Sequence, residues 1–165
     1  MEPWVAAAVF CLTAAGCWTD LRSMRIPNVL TAGFAAAGIV CHTAVSGWPG
    51  LEAALAGGVA GALPLWLLYR FGGLGAGDVK WFGAFGVWAG VSATLQLTVY
   101  SILAAGGIGG LLLLLRSPGL RRLGSRLPWP WGRHPVLGGK GAAFPFMLAV
   151  APGLLWLWWG PAIGF

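Results

Sequence analysis

Gly72-Gly73-Leu74-Gly75-Ala76-Gly77-Asp78-Val79-Lys80 is a glycine-rich turn that ends on a carboxylate and lies between two long apolar runs. The run before it, Leu51 to Tyr69, carries one charged residue, Glu52, and the run after it, Trp81 to Leu115, carries none. Stretches of about 20 apolar residues read as membrane-spanning helices. The turn therefore predicts an all-α, polytopic membrane protein in which polar chemistry is confined to the helix ends.

Composition agrees. The chain of 165 residues is 58% hydrophobic and 8% charged, against about 25% charged in a soluble domain. Such a chain cannot cover a water-facing surface, so lipid is its expected solvent. Eleven Trp and 28 Gly fit that solvent, because Trp gathers at membrane interfaces and Gly is tolerated in spanning helices. The length allows one domain with about six transmembrane helices. The expected spans are 4–19, 29–45, 51–69, 79–92, 94–115 and 141–159, in a single membrane-embedded domain over residues 1–165. The formal charge of +6 would need a soluble basic face to hold nucleic acid, so no nucleic-acid partner is expected.

Trp4 to Thr19 is apolar, and Met1-Glu2-Pro3 before it lacks the positive start of a secretory signal. A retained first helix is expected, its N-terminus outside, because Arg22 and Arg25 favour the cytoplasm. Asp20 to Asn28 reads as a loop. Pro27 pushes Ile26 to an extended conformation, and Pro27 or Asn28 can start the next helix. Ser46 to Gly50 reads as a short outer turn. Parity argues that Trp81 to Leu115 crosses twice, with a turn near Ala89-Gly90-Val91-Ser92. Gly106, Gly107, Gly109 and Gly110 would let the helices there pack closely. On this topology all ten Lys and Arg residues fall on one side, together with Asp20 and Asp78, while Glu2 and Glu52 fall on the other.

The long polar segment holds Arg116, Arg121, Arg122, Arg126, Arg133 and Lys140 without an acid. It can clamp anionic lipid headgroups, with Trp129 and Trp131 at the interface, or simply be an inside-facing loop that fixes topology. Cys11, Cys17 and Cys41 lie in apolar runs without a CxxC pair, so neither a zinc site nor a disulfide framework is expected. His42 and His134 have no second ligand at metal spacing. No metal and no cofactor is expected.

Asp20 and Asp78 are the only two Asp residues, and both sit where an apolar run meets a polar stretch. A pair of polar caps at span boundaries is the plainer reading; a functional pair is the sharper one. Two close carboxylates share a proton, so one acts as base and the other as acid. The base would activate water against a peptide carbonyl, and the acid would protonate the carbonyl oxygen and then the leaving amine. The chain has no HExxH and no Walker loop. Helix dipoles suggest that Asp78, at a helix N-terminus, starts as the base, and that Asp20, at a C-terminus, holds the proton. Gly75 and Gly77 remove side chains beside Asp78, so a substrate backbone can come close; an ordinary flexible loop is the alternative. Phosphate binding lacks its GxxxxGK[ST] pattern and its preceding strand.

Gly75-Ala76-Gly77-Asp78 is a GxGD element. With Val79-Lys80 after it, and Asp20…Arg25-Ile26-Pro27-Asn28-Val29-Leu30-Thr31 before it, the chain resembles the type IV prepilin peptidase family over its whole length. The resemblance implies a polytopic aspartic protease of the bacterial inner membrane. It would cut the short basic leader from type IV prepilins and pseudopilins at the cytoplasmic face. The catalytic aspartates would be Asp20 and Asp78, and the motif glycines Gly75 and Gly77. Lys80 matches the motif lysine and receives no chemistry. Phe144-Pro145-Phe146 resembles a late proline–aromatic element expected to line the site. Longer members carry an N-terminal extension with four Cys and methylate the new N-terminus. That extension is not present here, so methylation is not expected, and the short form is similar to the peptidases of tight-adherence (Flp-type) pilus systems. A basic loop repels a basic leader, which favours lipid for Arg116 to Lys140.

Two rivals stand beside this reading. A presenilin or signal-peptide-peptidase type of GxGD protease usually has a Tyr-Asp first motif and a Pro-Ala-Leu element, and this chain has Thr19-Asp20 and no Pro-Ala-Leu. A small transporter or assembly scaffold would use the Asp pair as a proton relay.

Overall fold

The computed structural model describes residues 2–126, 128–131 and 144–159, with side chains as far as residue 157. Arg133, His134, Lys140, the start of the last expected span and the side chains of Trp158 and Trp159 lie outside the described residues. All regular elements among the described residues are helical: α1 Pro3–Ser23, α2 Asn28–Arg70, α3 Ala76–Leu114, α4 Arg121–Gly124 and α5 Met147–Trp159. Three of them, α1, α2 and α3, are long and apolar enough to cross a membrane, and Met147–Leu157 is a shorter apolar helix.

The first helix starts at Pro3, where a missing N–H costs nothing. It runs a turn beyond the expected end at Thr19 and stops at Met24, in the left-handed region with φ 52°. The expected loop from Asp20 is thereby corrected: nothing in Asp20-Leu21-Arg22-Ser23 breaks a helix, and the first residue biased against one is Ile26, before Pro27. Asp20 consequently sits inside the last turn of α1.

Both α2 and α3 contain one non-helical glycine. In α2 it is Gly47, with φ 62°, inside the expected turn Ser46 to Gly50. Along a straight helix His42 and Gly50 would be about 12 Å apart, yet a Cβ on Gly50 would overlap the His42 carbonyl oxygen. The chain therefore doubles back at Gly47. In α3 the break is Gly90, with φ 78°, and Gly61 faces both Phe82 and Thr94 across it. Residues 28–46 and 48–70, and 76–89 and 91–114, are thus separate helical arms.

The largest interhelix contact joins α2 and α3, and glycine makes it possible. A Cβ on Gly57 would overlap the Gly86 carbonyl, one on Gly86 would overlap the Gly57 carbonyl, and one on Gly61 would overlap the Phe82 carbonyl. Gly57 and Gly61 stand at GxxxG spacing, which lets helix backbones approach closely. The expectation that Gly106, Gly107, Gly109 and Gly110 serve this purpose is corrected. Around each of these, no described residue comes within 4 Å of where a Cβ would be.

The core is aromatic and belongs to the first turns of α3. Trp81, Phe82 and Phe85 are fully buried. Trp81 stacks on Phe85 with ring centroids 5.4 Å apart and meets Phe82 edge-on at 5.2 Å. Gly16 of α1 makes room for the indole, since a Cβ there would lie 2.6 Å from Trp81 Nε1. That Nε1 donates to the Leu12 carbonyl at 3.3 Å. Gly16 and Asp20 are four residues apart on α1, and Asp78 and Trp81 three apart on α3, so each pair shares a helix face. Seating Trp81 on Gly16 sets the level at which the two carboxylates stand.

Candidate active site

Asp78 is the third residue of α3, whose N-cap is Gly75. Its carboxylate folds back towards that N-cap: its Oδ2 lies 3.0 Å from where a Gly75 Cβ would be. That is the position from which the acidic half of a capping box acts. Asp20 meets the start of another helix. Its Oδ2 accepts the backbone N–H of Met147, the first residue of α5, at 3.0 Å. The two aspartates are buried, 5% and 8% exposed.

The helix-dipole argument that set the two aspartates apart is corrected by these contacts. Asp20 rides on the C-terminal turn of α1, but its carboxylate faces the N-terminus of α5. Both acids therefore look onto a helix start, and the dipoles no longer favour one as the base.

Asp20 and Asp78 line one cavity of about 620 Å³. Met24, Leu68 and the Gly72-Gly73-Leu74-Gly75 turn form one part of its wall, and Ile102, Ala105 and Gly106 of α3 another. Phe144 and Phe146 line it too, as the late aromatic element led one to expect. Gly72, at φ 74°, makes the bend that only glycine takes without strain. Of the two motif glycines, Gly75 borders the cavity and Gly77 does not. A Cβ on Gly77 would touch Ile26 at 3.5 Å, an ordinary contact. Gly77 thus packs against the α1–α2 connection.

Several contributors carried no sequence signal of their own. Gly16 and Trp81 were hidden because their pairing is between helices. Met147 acts through its backbone. Lys80 donates to Asn28 Oδ1 at 2.8 Å, tying the start of α3 to the start of α2. Trp131 donates to the Leu21 carbonyl at 3.0 Å, next to Asp20, so this tryptophan of the basic segment touches the end of α1. His42 packs against the rings of both Trp4 and Trp88, at 5.1 and 6.1 Å, and these two also meet each other at 5.9 Å. Cys11, Cys17 and Cys41 are free thiols. Among the described residues no group of three His, Cys, Asp or Glu is arranged to hold a metal ion.

The arrangement is a pair of buried acids at the edge of an otherwise apolar, glycine-bordered cavity, close to where α1 and α2 end and α3 and α5 begin. Residues 6–110 match the model of the type IV leader peptidase family. The chain belongs to that family. Curated relatives agree. A prepilin leader peptidase/N-methyltransferase from Burkholderia pseudomallei (strain K96243) is 31% identical over 139 residues, covering 78% of this chain and 43% of the relative. The protein of the same name from Dickeya chrysanthemi is 35% identical over 130 residues, covering 74% and 43%. That from Aeromonas hydrophila is 30% identical over 146 residues, covering 82% and 48%. The chain thus spans less than half the length of these relatives. No solved structure matches it significantly. Family membership and the long apolar helices make this type IV leader peptidase homologue a membrane protein.

Proposed function

We propose that this chain is an aspartic endopeptidase that removes the basic leader from type IV prepilins or pseudopilins, with Asp20 and Asp78 as its catalytic pair. One observation carries the proposal: the only two aspartates in the sequence, on different helices, are buried at one cavity. The peptidase named in its relatives supports the substrate class.

The chemistry follows from the pair. A water between the carboxylates loses a proton to the ionised one and attacks the scissile carbonyl. The protonated partner gives its proton to the carbonyl oxygen, and the pair then protonates the leaving amine. Two acids that exchange protons through one water titrate as a unit. Leu68, Ile102, Phe144 and Phe146 supply apolar walls, which suit the junction between a leader and the apolar helix that follows it. Gly75 leaves Asp78 open to a substrate backbone.

The proposed topology has six spans within one domain, using the breaks at Gly47 and Gly90 to divide α2 and α3. It puts the Asp pair with all Lys and Arg residues at the cytoplasmic face of the bacterial inner membrane, by the positive-inside rule. The Arg116 to Lys140 segment would then meet anionic headgroups of that leaflet.

Co-expression with a prepilin tests the activity. Wild-type protein should convert the prepilin to a faster-migrating mature form. Asp20→Asn and Asp78→Asn should each leave it unprocessed while remaining in the membrane fraction. Processing at the wild-type level by either variant would overturn the assignment.

A further inference from the structure

The motif lysine has no part in the chemistry above, yet it makes a specific long-range contact. Lys80 Nζ donates to Asn28 Oδ1 at 2.8 Å. Among the described residues this ammonium faces a neutral amide and makes no ion pair. Lys80 lies two residues after Asp78 on α3. Asn28 opens α2, at the far end of the short connection that begins four residues after Asp20. Between them, Ile26 rests on Gly77, whose missing Cβ would lie 3.5 Å from both the Ile26 nitrogen and Cβ. Residues 24–27 thus form a strap leading from the Asp20 helix and pinned at its end to the Asp78 helix. Met24, at its start, is in the left-handed region and lines the cavity.

We infer that the Lys80–Asn28 hydrogen bond is a positioning contact that holds the α1 end against the α3 start, and so fixes Asp78 relative to Asp20. This rests on the proposed peptidase reading for its catalytic consequence, but not for its geometry. Lys80 touches neither carboxylate in the contacts observed and acts through Asn28. A catalytic pair misplaced by an ångström loses much of its rate, so the contact should govern turnover more than substrate binding.

Two measurements test it. The first is cleavage kinetics on a prepilin peptide. Lys80→Ala and Asn28→Ala should each lower kcat about tenfold with KM changed less than about twofold, and the double variant should be no slower than either single one. Lys80→Arg and Asn28→Asp keep a donor and an acceptor and should recover most of the rate. Additive losses, or Asn28→Ala cleaving at the wild-type rate, would overturn the inference in favour of a charge effect of Lys80 alone. The second needs no activity. In a background with Cys11, Cys17 and Cys41 replaced, spin labels at Ser23→Cys and Ala76→Cys report the distance between the end of α1 and the start of α3. Both side chains are exposed. A narrow distribution should broaden in Lys80→Ala and in Asn28→Ala alike. Unchanged distributions would overturn the inference even if cleavage falls. Failure of the wild type to cleave any prepilin would count against the peptidase reading, and the label distances would still decide this one.

Discussion

At Gly75 the space for one methyl group separates two behaviours of Asp78. A Cβ there would press on Oδ2 at 3.0 Å, and the carboxylate would have to give way by a few tenths of an ångström. Gly75→Ala should therefore cut leader cleavage by roughly tenfold, the scale on which small displacements of a reacting group act. Gly77→Ala meets only Ile26 at ordinary contact distance and gains helix propensity. Its loss should be several-fold smaller, read in the same kinetic assay. Equal losses would support a substrate-facing role for Gly77. The two aspartates and Gly75 were legible in sequence because scarcity and motif mark them. The pairing of Asp20 with the Met147 N–H was not, because a backbone donor leaves no trace in the residue types.

Among elements, the contact between α1 and α3 depends on Gly16 under Trp81. Gly16→Val would force a Cβ to 2.6 Å from the Trp81 Nε1 and towards Met147 Cε at 3.3 Å. Overpacking of this kind costs about 1–3 kcal/mol, so a lowered Tm in detergent is expected, with cleavage reduced as well because the Asp20 level shifts. The interface of α2 with α3 should be still less tolerant: Gly57→Leu or Gly86→Leu drives a side chain into the facing backbone and should abolish accumulation of folded protein. Gly109→Ala, with open space around it, should change stability by no more than about 1 kcal/mol. Sequence reading chose the wrong glycines for close packing. It weighed the dense cluster Gly106 to Gly110, which has the same i, i+4 spacing as Gly57 and Gly61; spacing alone does not say which pair meets a facing backbone. The first helix runs one turn past its expected end and α5 starts at Met147 rather than at residue 141, since proline and glycine mark where a backbone must stop but not how far it runs first.

Across the whole molecule, the all-helical class followed from the length of the apolar runs, and the reversals at Gly47 and Gly90 fall within the turns that small residues and parity indicated. What composition could not supply was which helix ends meet, because every apolar run offers a similar face to its neighbours. Three-dimensional packing of Trp81, Phe82, Phe85 and Phe146 around α1 and α5 supplies that answer. The account has one centre: Asp20 and Asp78 work as a single unit. The kinetics of leader cleavage by Asp20→Asn, Asp78→Asn and the double variant test it most directly. Residues that act together lose activity non-additively, so each single variant should fall to the background rate, on the order of a thousandfold or more below wild type, and the double variant should fall no further. A single variant that retains substantial turnover, with the double variant lower by the product of the two losses, would contradict it.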